Sequence, residues 1–229
     1  MNGSSTASGC AVEQPARHKH LRRKEARPSE LTAAALALFV EKGFAATRLD
    51  DVAALAGVSK GTLYLYFDSK EALFKAVIRE GMVPVLERGE ALLASETAEP
   101  VALLRGMLLD WWEQLSKTPI GGVQKLMMAE AGNFPEVAQY YQEAVIDRGQ
   151  ALVRTALRRG VEAGAFRPMD VEMAVSVVIA PLLHEVLWRH SFASRCAAST
   201  LDGRRFLECY FDLLLKGLCS SSGAREERP

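Results

Sequence analysis

Apolar residues recur along most of the chain at the three- and four-residue spacing that marks one face of an α-helix. Leu31, Ala35, Leu38 and Phe39 form the first such face, and Gly43 follows it as a C-terminal helix signal. No stretch alternates convincingly between apolar and polar residues, as a half-buried β-strand would. The pattern therefore predicts an all-α protein of about nine helices.

Turn and capping residues place the other predicted helices. Two short helices are predicted before and after Gly57. A long fourth helix begins at a capping box formed by Asp68 and Glu71, and Pro84 kinks or ends it. Five further helices are predicted over residues 101–115, 122–131, 135 to about 160, 170–190 and 203–218.

Composition bounds the folded part of the chain. Of 229 residues, 49% are hydrophobic and 24% are charged, so the chain can bury a sizeable core. Segments 1–24 and 219–229 are instead mostly small, polar or charged. They contain too little apolar surface to offset the entropy of ordering, so we expect disordered tails there, the first of them basic.

Signals for export and membrane insertion are weak. Residues 1–16 hold no apolar run and residues 17–27 are basic, so we expect no secretory signal and a cytoplasmic location. The most apolar stretch, 173–183, contains Pro181 and is shorter than the ~20 residues that cross a bilayer. We interpret it as a buried helix and expect no membrane partner. The four cysteines lack C-x-x-C spacing and are expected to be reduced thiols.

Residues 47–67, TRLDDVAALAGVSKGTLYLYF, have the spacing of a helix-turn-helix. Gly57 can adopt the left-handed backbone of the turn, and Ser59 can cap the second helix. Leu63 and Phe67 share a face that can pack inward. Polar side chains are then left to face a DNA major groove, namely Lys60, Thr62, Tyr64 and Tyr66.

Charge supports a nucleic-acid partner only locally. The 28 basic and 28 acidic residues cancel, so the whole-chain charge predicts no polyanionic partner. Residues 1–75 nevertheless hold eleven basic and eight acidic side chains. Six of the basic ones lie between Arg17 and Arg27, opposed only by Glu25, and could follow a phosphate backbone. The alternative is a solvated basic tail.

Segment 30–73 resembles the DNA-binding domain of the TetR/AcrR family of bacterial transcriptional regulators. The resemblance rests on LALFVEKGFAATRLDDVAALAGVSKGTLYLYFDSKEALF, about forty closely matching residues. It implies a helix-turn-helix DNA-binding domain, here at 25–85, and a helical ligand-binding and dimerisation domain, here at 86–218. Tyr66 departs from the family pattern, since many members carry histidine there.

The resemblance implies that the helix-turn-helix motif from Arg48 to Phe67 binds a double-stranded DNA operator. The implied contacts to bases and phosphates come from Lys60, Gly61, Thr62 and Tyr64, the anchors on the DNA backbone are Thr47, Tyr66 and Lys70, and Arg48 and Ser59 complete the predicted interface. Two alternatives remain open. Tyr64 and Tyr66 could be half-buried packing aromatics, and Thr47 could be only a helix cap.

The resemblance also implies a homodimer in which the last two long helices of each chain form a four-helix bundle. Apolar stripes at 171–182 and 206–217 fit this, although both could belong to an intramolecular core. We favour the dimer, because two recognition helices are needed to grip successive major grooves of an inverted-repeat site.

Large and adaptable side chains collect in the central helices and could line an apolar cavity. The candidate pocket residues are Met107, Trp111, Met127, Phe134, Tyr141, His184 and Trp188. His184 and Glu185 are the candidate polar groups of this pocket, and each residue could instead fill the core. We expect a fairly hydrophobic small-molecule inducer and no cofactor.

The expected function is therefore a ligand-responsive, sequence-specific transcriptional regulator, most consistent with a repressor that an inducer releases. The alternative is a helical small-molecule-binding or protein-interaction module without sequence-specific DNA binding. An enzyme is not expected, because the sequence has no P-loop, GxGxxG or nucleophile-elbow motif. His184-Glu185 does not begin a zinc-binding HExxH motif, since position 188 is Trp.

Overall fold

The computed structural model describes residues 16–94, 98–193 and 202–219, with side chains from residue 28 onward. These residues form eleven α-helices, and the predicted all-α class is confirmed. The helices are α1 (Ala16–Lys42), α2 (Leu49–Leu55), α3 (Lys60–Tyr64), α4 (Lys70–Gly81), α5 (Val83–Ala94), α6 (Pro100–Lys117), α7 (Gly122–Glu130), α8 (Pro135–Tyr141), α9 (Arg148–Glu162), α10 (Val171–Trp188) and α11 (Gly203–Leu218). A 3₁₀-helix at Pro119–Gly121 and π-helices at Gln142–Asp147 and Arg189–Ala193 join some of them.

The predicted count of about nine differs from eleven at two places. α4 ends at Gly81, so Pro84 lies in the first turn of a separate helix, α5. The π-helix at Gln142–Asp147 divides the helix predicted over residues 135 to 160 into α8 and α9. Such wide turns leave little trace in the periodicity of a sequence, because the apolar positions shift by only one residue.

The N-terminal boundary also differs from its prediction. α1 begins at Ala16, so residues 16–24 are helical although a disordered tail was predicted for 1–24. Residues 21–26 read LRRKEA, all strong helix formers, which explains the extension. The remainder of the two predicted tails, residues 1–15 and 220–229, lies outside the described residues. Cys209 and Cys219 are free thiols.

The N-terminal helices α1 to α4 enclose an aromatic core. The rings of Phe39, Phe44 and Phe74 contact one another with centroids 5.3–5.4 Å apart, and all three are buried. α4 packs on α1 within this domain and also on α5 and α8 beyond it. The DNA-binding half is therefore joined to the rest of the chain by packing as well as by sequence.

The C-terminal helices pack mainly through α5, α6, α9 and α10, while α7 lies against α1 and α10. The outer face of α10 is not covered. Val178 and Leu182 are buried, but Met173 and Val177 are 64% and 69% exposed, so the interpretation of 173–183 as a buried helix is right for one face only. Within the described ranges, Val171–Phe192 alone is long and apolar enough to span a bilayer, by length and composition.

Candidate DNA interface and ligand cavity

The turn before α3 has the predicted geometry. Gly57 has φ +67°, a left-handed conformation that glycine adopts without a steric penalty. The Ser59 hydroxyl oxygen accepts a hydrogen bond from the backbone N–H of Thr62 at 3.1 Å and caps α3 as predicted. α2 differs, because its N-cap residue is Arg48, whose exposed side chain makes no capping hydrogen bond.

α3 buries one face and presents the other to solvent. Leu63 is fully buried and Phe67 is nearly so, whereas Tyr64 is 45% exposed. Lys60 lies on the open side, where its Nζ forms a 2.8 Å ion pair with Asp50 of α2. The hydrogen bond that Lys60 donates to the Asp50 carboxylate is the main cause that raises the pKa of Lys60, which keeps the side chain cationic.

The other predicted contact residues of α3 have different surroundings. Gly61 is exposed, and an added Cβ would meet only Ser59 Oγ at 3.9 Å, so its surface is open. Thr62 is half-buried with its hydroxyl 2.8 Å from Ser59 Oγ. Tyr66 is half-buried and packs against the core. Leu65, which the sequence analysis did not single out, is 83% exposed beside Tyr64.

Thr47 and Lys70 make hydrogen bonds within the scaffold. Thr47 is 2% exposed, and its hydroxyl donates to the carbonyls of Leu38 and Gly43. The N-cap position of α2 is Arg48 and not Thr47, so the alternative that Thr47 is only a helix cap is wrong. Lys70 donates from Nζ to the carbonyls of Phe44, Ala45 and Thr47 at 2.7–3.2 Å. An ammonium group has three donors, and these carbonyls take all of them.

The capping box predicted at the start of α4 is also wrong. The N-cap residue is Ser69, whose hydroxyl accepts from the N–H of Ala72 at 3.0 Å. Asp68 lies one residue before the cap and is exposed. A serine and an aspartate are equally good caps, so the sequence alone could not separate the two registers.

A cavity of about 150 Å³ lies in the C-terminal half, between α5, α6, α8, α9 and α10. Met107, Trp111 and Tyr141 line it, as the sequence analysis proposed for a ligand pocket. Most of the other lining side chains are aliphatic, among them Leu86, Val145, Leu152 and Ile179. The wall is therefore suited to apolar molecules.

A few polar groups interrupt this wall. The Tyr141 hydroxyl donates to Gln124 Oε1 at 2.8 Å, and burial raises the pKa of the Tyr141 phenol, which therefore stays protonated. Asp110 also lines the cavity, with both carboxylate oxygens bonded to Arg88 of α5 at 3.1 and 3.4 Å. The lining includes Gln150 as well.

The other four predicted pocket residues do not line the cavity. Met127 of α7 is buried in the hydrophobic core, and Phe134 packs against the Phe44 ring with centroids 4.6 Å apart. His184 and Trp188 stack on each other at 6.1 Å, away from the inward stripe of α10. That stripe runs through Val178, Leu182 and Val186, and position 184 lies about 200° around the helix from position 182.

Glu185 likewise has a structural partner. Its carboxylate is 2% exposed and pairs with Arg189 at 2.8 Å. It does not reach the cavity, so the predicted pair of polar pocket groups, His184 and Glu185, is replaced by Gln124 and Tyr141. Across the described chain, no three metal-ligating side chains are grouped as a metal site.

Two helices that carry cavity residues also contact the DNA-binding half. α7 holds Gln124 and ends at Glu130, whose Oε1 accepts from the backbone N–H of Ala45 at 3.4 Å. α8 begins beside Phe134 on the Phe44 ring and ends at Tyr141 in the cavity wall. The loop that Lys70 and Thr47 hold is thus in contact with both helices.

A second apolar surface lies on α10 and α11. The groove between them is lined by Met173, Val177 and Leu213, which are all more than 60% exposed. The hydroxyl of Tyr210 donates to the Val178 carbonyl at 2.7 Å and fixes α11 on α10. This hydrogen bond joins the two walls of the groove.

Comparison with known proteins gives this architecture a family. Residues 31–77 match the domain described as bacterial regulatory proteins of the tetR family, and residues 94–202 match the tetracyclin repressor-like C-terminal domain. The transcriptional repressor KstR2 of Mycobacterium tuberculosis is 30% identical over 149 residues, 64% of this chain and 73% of KstR2. The regulator RutR of Escherichia coli K12 is 48% identical over 62 residues, 27% of this chain and 29% of RutR.

A solved structure gives the same result for the whole fold. The TetR-family regulator PfmR of Thermus thermophilus superposes with a TM-score of 0.66 at 29% identity, over 82% of this chain and 97% of PfmR. These matches agree with the prediction that the protein is a transcriptional regulator and not an enzyme. The chain belongs to the TetR family of bacterial transcriptional regulators.

Proposed function

We propose that this regulator is a cytoplasmic repressor that binds an inverted-repeat operator as a homodimer and is released when a small apolar molecule enters the cavity. The observation that carries the proposal is the position of α7 and α8, which touch the DNA-binding half at one end and line the cavity at the other. The repressor assignment is supported by the relative KstR2, whose name describes a transcriptional repressor.

On the DNA side, α3 is the proposed recognition helix. Its exposed side chains Lys60 and Tyr64 provide a cationic and a phenolic donor, and Gly61 lets the helix approach the duplex closely. Arg48 is exposed at the start of α2 and can contact a phosphate. Thr62 and Tyr66 are half-buried, and we assign to them DNA contacts at the edge of this surface. Ser59 positions the helix by capping it.

The proposed dimer surface is the groove of α10 and α11. In a single chain, water would contact three large apolar side chains of this groove, those of Met173, Val177 and Leu213. A second copy of the same surface would bury them in a four-helix arrangement with two-fold symmetry. The apolar outer face of α10 is thereby assigned to a protein partner rather than to a bilayer.

The proposed release step is a change in the packing between the cavity wall and the 43–47 loop. A ligand in the cavity displaces the side chains of α7 and α8, whose far ends hold Glu130 and Phe134 against that loop. The two recognition helices of a dimer then no longer match successive major grooves. Operator affinity falls by the difference between the ligand affinities of the two states.

The test is selection from a random duplex library by the purified full chain at ~150 mM salt, where non-specific binding is weak. The expected result is one inverted repeat with half-sites about one helical turn apart. Binding of all sequences alike, with a steep dependence on salt, would contradict the proposal. An Arg48→Ala and Tyr64→Ala double variant should lose the selectivity, and the distant exposed double variant Arg204→Ala and Glu208→Ala should keep it.

A further inference from the structure

The charges around the cavity restrict its ligand more sharply than its apolar wall does. Among the described lining residues, Asp110 is the single charged side chain. Both of its oxygens are already bonded to Arg88. No lysine, arginine or histidine lines the wall in the part of the chain described. An anionic ligand would therefore lose its hydration without gaining a cationic partner, which is costly in an apolar site.

The arginines closest along the chain do not supply that partner. Arg88 directly precedes the lining residue Gly89, Arg148 directly precedes Gly149, and Arg154 directly follows Val153. Arg88 is bonded to Asp110, Arg148 to Glu90 at 2.8 Å, and Arg154 to Glu172 at 2.8 Å. Each guanidinium is thus neutralised by a carboxylate of the same chain, and an incoming anion would have to displace it.

Gln124 and Tyr141 provide a neutral hydrogen-bonding site in the same wall. The Tyr141 hydroxyl donates to Gln124 Oε1 at 2.8 Å, which fixes the orientation of the amide. Gln124 Nε2 has no hydrogen-bond partner among the described residues, so it can donate to a ligand oxygen. The phenol oxygen of Tyr141 also has a free lone pair and can accept a hydrogen bond.

The size of the cavity sets a third limit. An apolar cavity of ~150 Å³ has room for a molecule the size of benzene, and the cavity here has about that volume. A long acyl chain or a nucleotide-bearing thioester does not fit this volume without rearrangement of the wall.

We propose that the cavity selects a small, uncharged, single-ring apolar molecule with one hydroxyl or carbonyl oxygen, which Gln124 and Tyr141 bind, and that it excludes the corresponding carboxylates. This inference rests on the proposed function only in taking the cavity as the effector site. Independently of that function, we infer that the ligand is uncharged and that it carries an oxygen which Gln124 and Tyr141 bind.

Isothermal titration calorimetry of the full chain with three related probes tests the inference. The probes are p-cresol, toluene, which lacks the oxygen, and 4-methylbenzoate, which is anionic. We expect saturable binding of p-cresol with a Kd ~5-fold lower than that of toluene, the effect of one neutral hydrogen bond. We expect 4-methylbenzoate to bind at least ~100-fold more weakly than p-cresol. The inference is overturned if 4-methylbenzoate matches p-cresol, or if p-cresol does not saturate the folded protein.

Variants identify the hydrogen-bonding groups. The double variant Gln124→Leu and Tyr141→Phe removes both partners together, so neither is left buried without one. It should bind toluene as the parent chain does and should bind p-cresol no more tightly than toluene. The single variant Tyr141→Phe should lie between the two, and the control Gln139→Leu, on the exposed side of α8, should change neither Kd. An unchanged preference for p-cresol in the double variant would refute the assignment.

Operator binding, measured separately, distinguishes this inference from the proposed function. If p-cresol binds with the expected preference and the operator complex is unaffected, the ligand class stands and the proposed coupling is wrong. If another compound releases the operator while 4-methylbenzoate occupies the cavity as tightly as p-cresol, the coupling stands and the ligand class is wrong.

Discussion

Thr47 and Lys70 hold together the loop that joins α1 to α2. The Thr47 hydroxyl bonds to the carbonyls of Leu38 in α1 and of Gly43, and the Lys70 ammonium bonds to three carbonyls of the loop, so these contacts fix the short segment 43–47. Gly43 begins the segment with φ +88°, and the Lys70 ammonium also lies 4.7 Å from the centre of the Phe44 ring. The loop is thereby tied to α4 and to the aromatic core of the DNA-binding half.

Lys70→Ala should therefore destabilise the fold. Three carbonyls lose a charged donor in a partly buried site, and we expect the free energy of unfolding to fall by ~1.5–3 kcal/mol. Chemical denaturation monitored by circular dichroism measures this. The control Lys42→Ala removes one exposed ion pair with Asp51 and should change stability by less than ~0.5 kcal/mol. Equal stability of the two variants would show that Lys70 acts elsewhere, for example on the DNA backbone.

Individual residues differed in how well sequence could place them. The roles of Gly57 and Ser59 follow from local backbone geometry, and both were predicted. Thr47 and Lys70 act through partners up to 26 residues away, and spacing within the motif carries no signal for such contacts. The resemblance implies contacts of both residues with the DNA backbone, which stay a prediction, and in the folded chain both make hydrogen bonds within the scaffold.

α7 and α8 are two of the elements that join the two halves of the molecule. Phe134 precedes α8 and packs edge-on against Phe44, with an angle of 73° between the rings. The Lys75 ammonium of α4 lies 5.6 Å from the ring centre of Tyr140, which belongs to α8. A displacement of α8 therefore reaches α4 and the 43–47 loop through aromatic contacts at its start and near its end.

Phe134→Ala should weaken the coupling without removing ligand binding. The ring does not line the cavity, so the Kd of p-cresol should change by less than ~2-fold, while the ring contact with Phe44, worth ~0.5–1.5 kcal/mol, is lost. Operator affinity measured with and without saturating p-cresol should then differ less than in the parent chain. The exposed Phe192→Ala variant should keep the parent difference. A coupling that survives Phe134→Ala would exclude this route.

The helices themselves were largely predictable, because amphipathic periodicity and turn residues are local signals. Of the seven residues predicted to line a pocket, three line the cavity, namely Met107, Trp111 and Tyr141. Which face of a helix lines a cavity depends on how neighbouring helices cross, and side-chain size does not encode that. Gln124 was overlooked because a single glutamine on an amphipathic helix looks like any other surface residue.

At the scale of the whole molecule, the described residues include a large apolar surface that a single chain leaves open. α10 and α11 place Met173, Val177 and Leu213 along one groove, and the Tyr210 hydrogen bond holds its walls together. Both stripes are visible in the sequence, but helical periodicity alone does not separate an internal core from an interface. Their exposure in the folded chain favours the interface.

Leu213→Glu should convert the proposed dimer to a monomer. Association would bury a charge without a partner, which costs several kcal/mol, so sedimentation velocity at micromolar protein should show one chain. Operator affinity should fall in parallel, because a single recognition helix contacts only half the site. Met128→Glu provides the control, since Met128 is 69% exposed on α7 and lies outside the groove. A dimeric Leu213→Glu variant would place the interface on another surface.

The ion pair between Lys60 and Asp50 has a consequence for how operator affinity depends on salt. In the free protein the Lys60 ammonium already has a counterion, the Asp50 carboxylate, within its own chain. A phosphate that takes Lys60 must displace this carboxylate, and the carboxylate then gathers cations from solution as the phosphate releases them. The net number of small ions released by this exchange is close to zero. Lys60 should therefore add less to the slope of log K against log salt than the ~0.9 that an unpaired cation adds. Operator selectivity carried by this residue should accordingly persist at salt concentrations that remove non-specific binding.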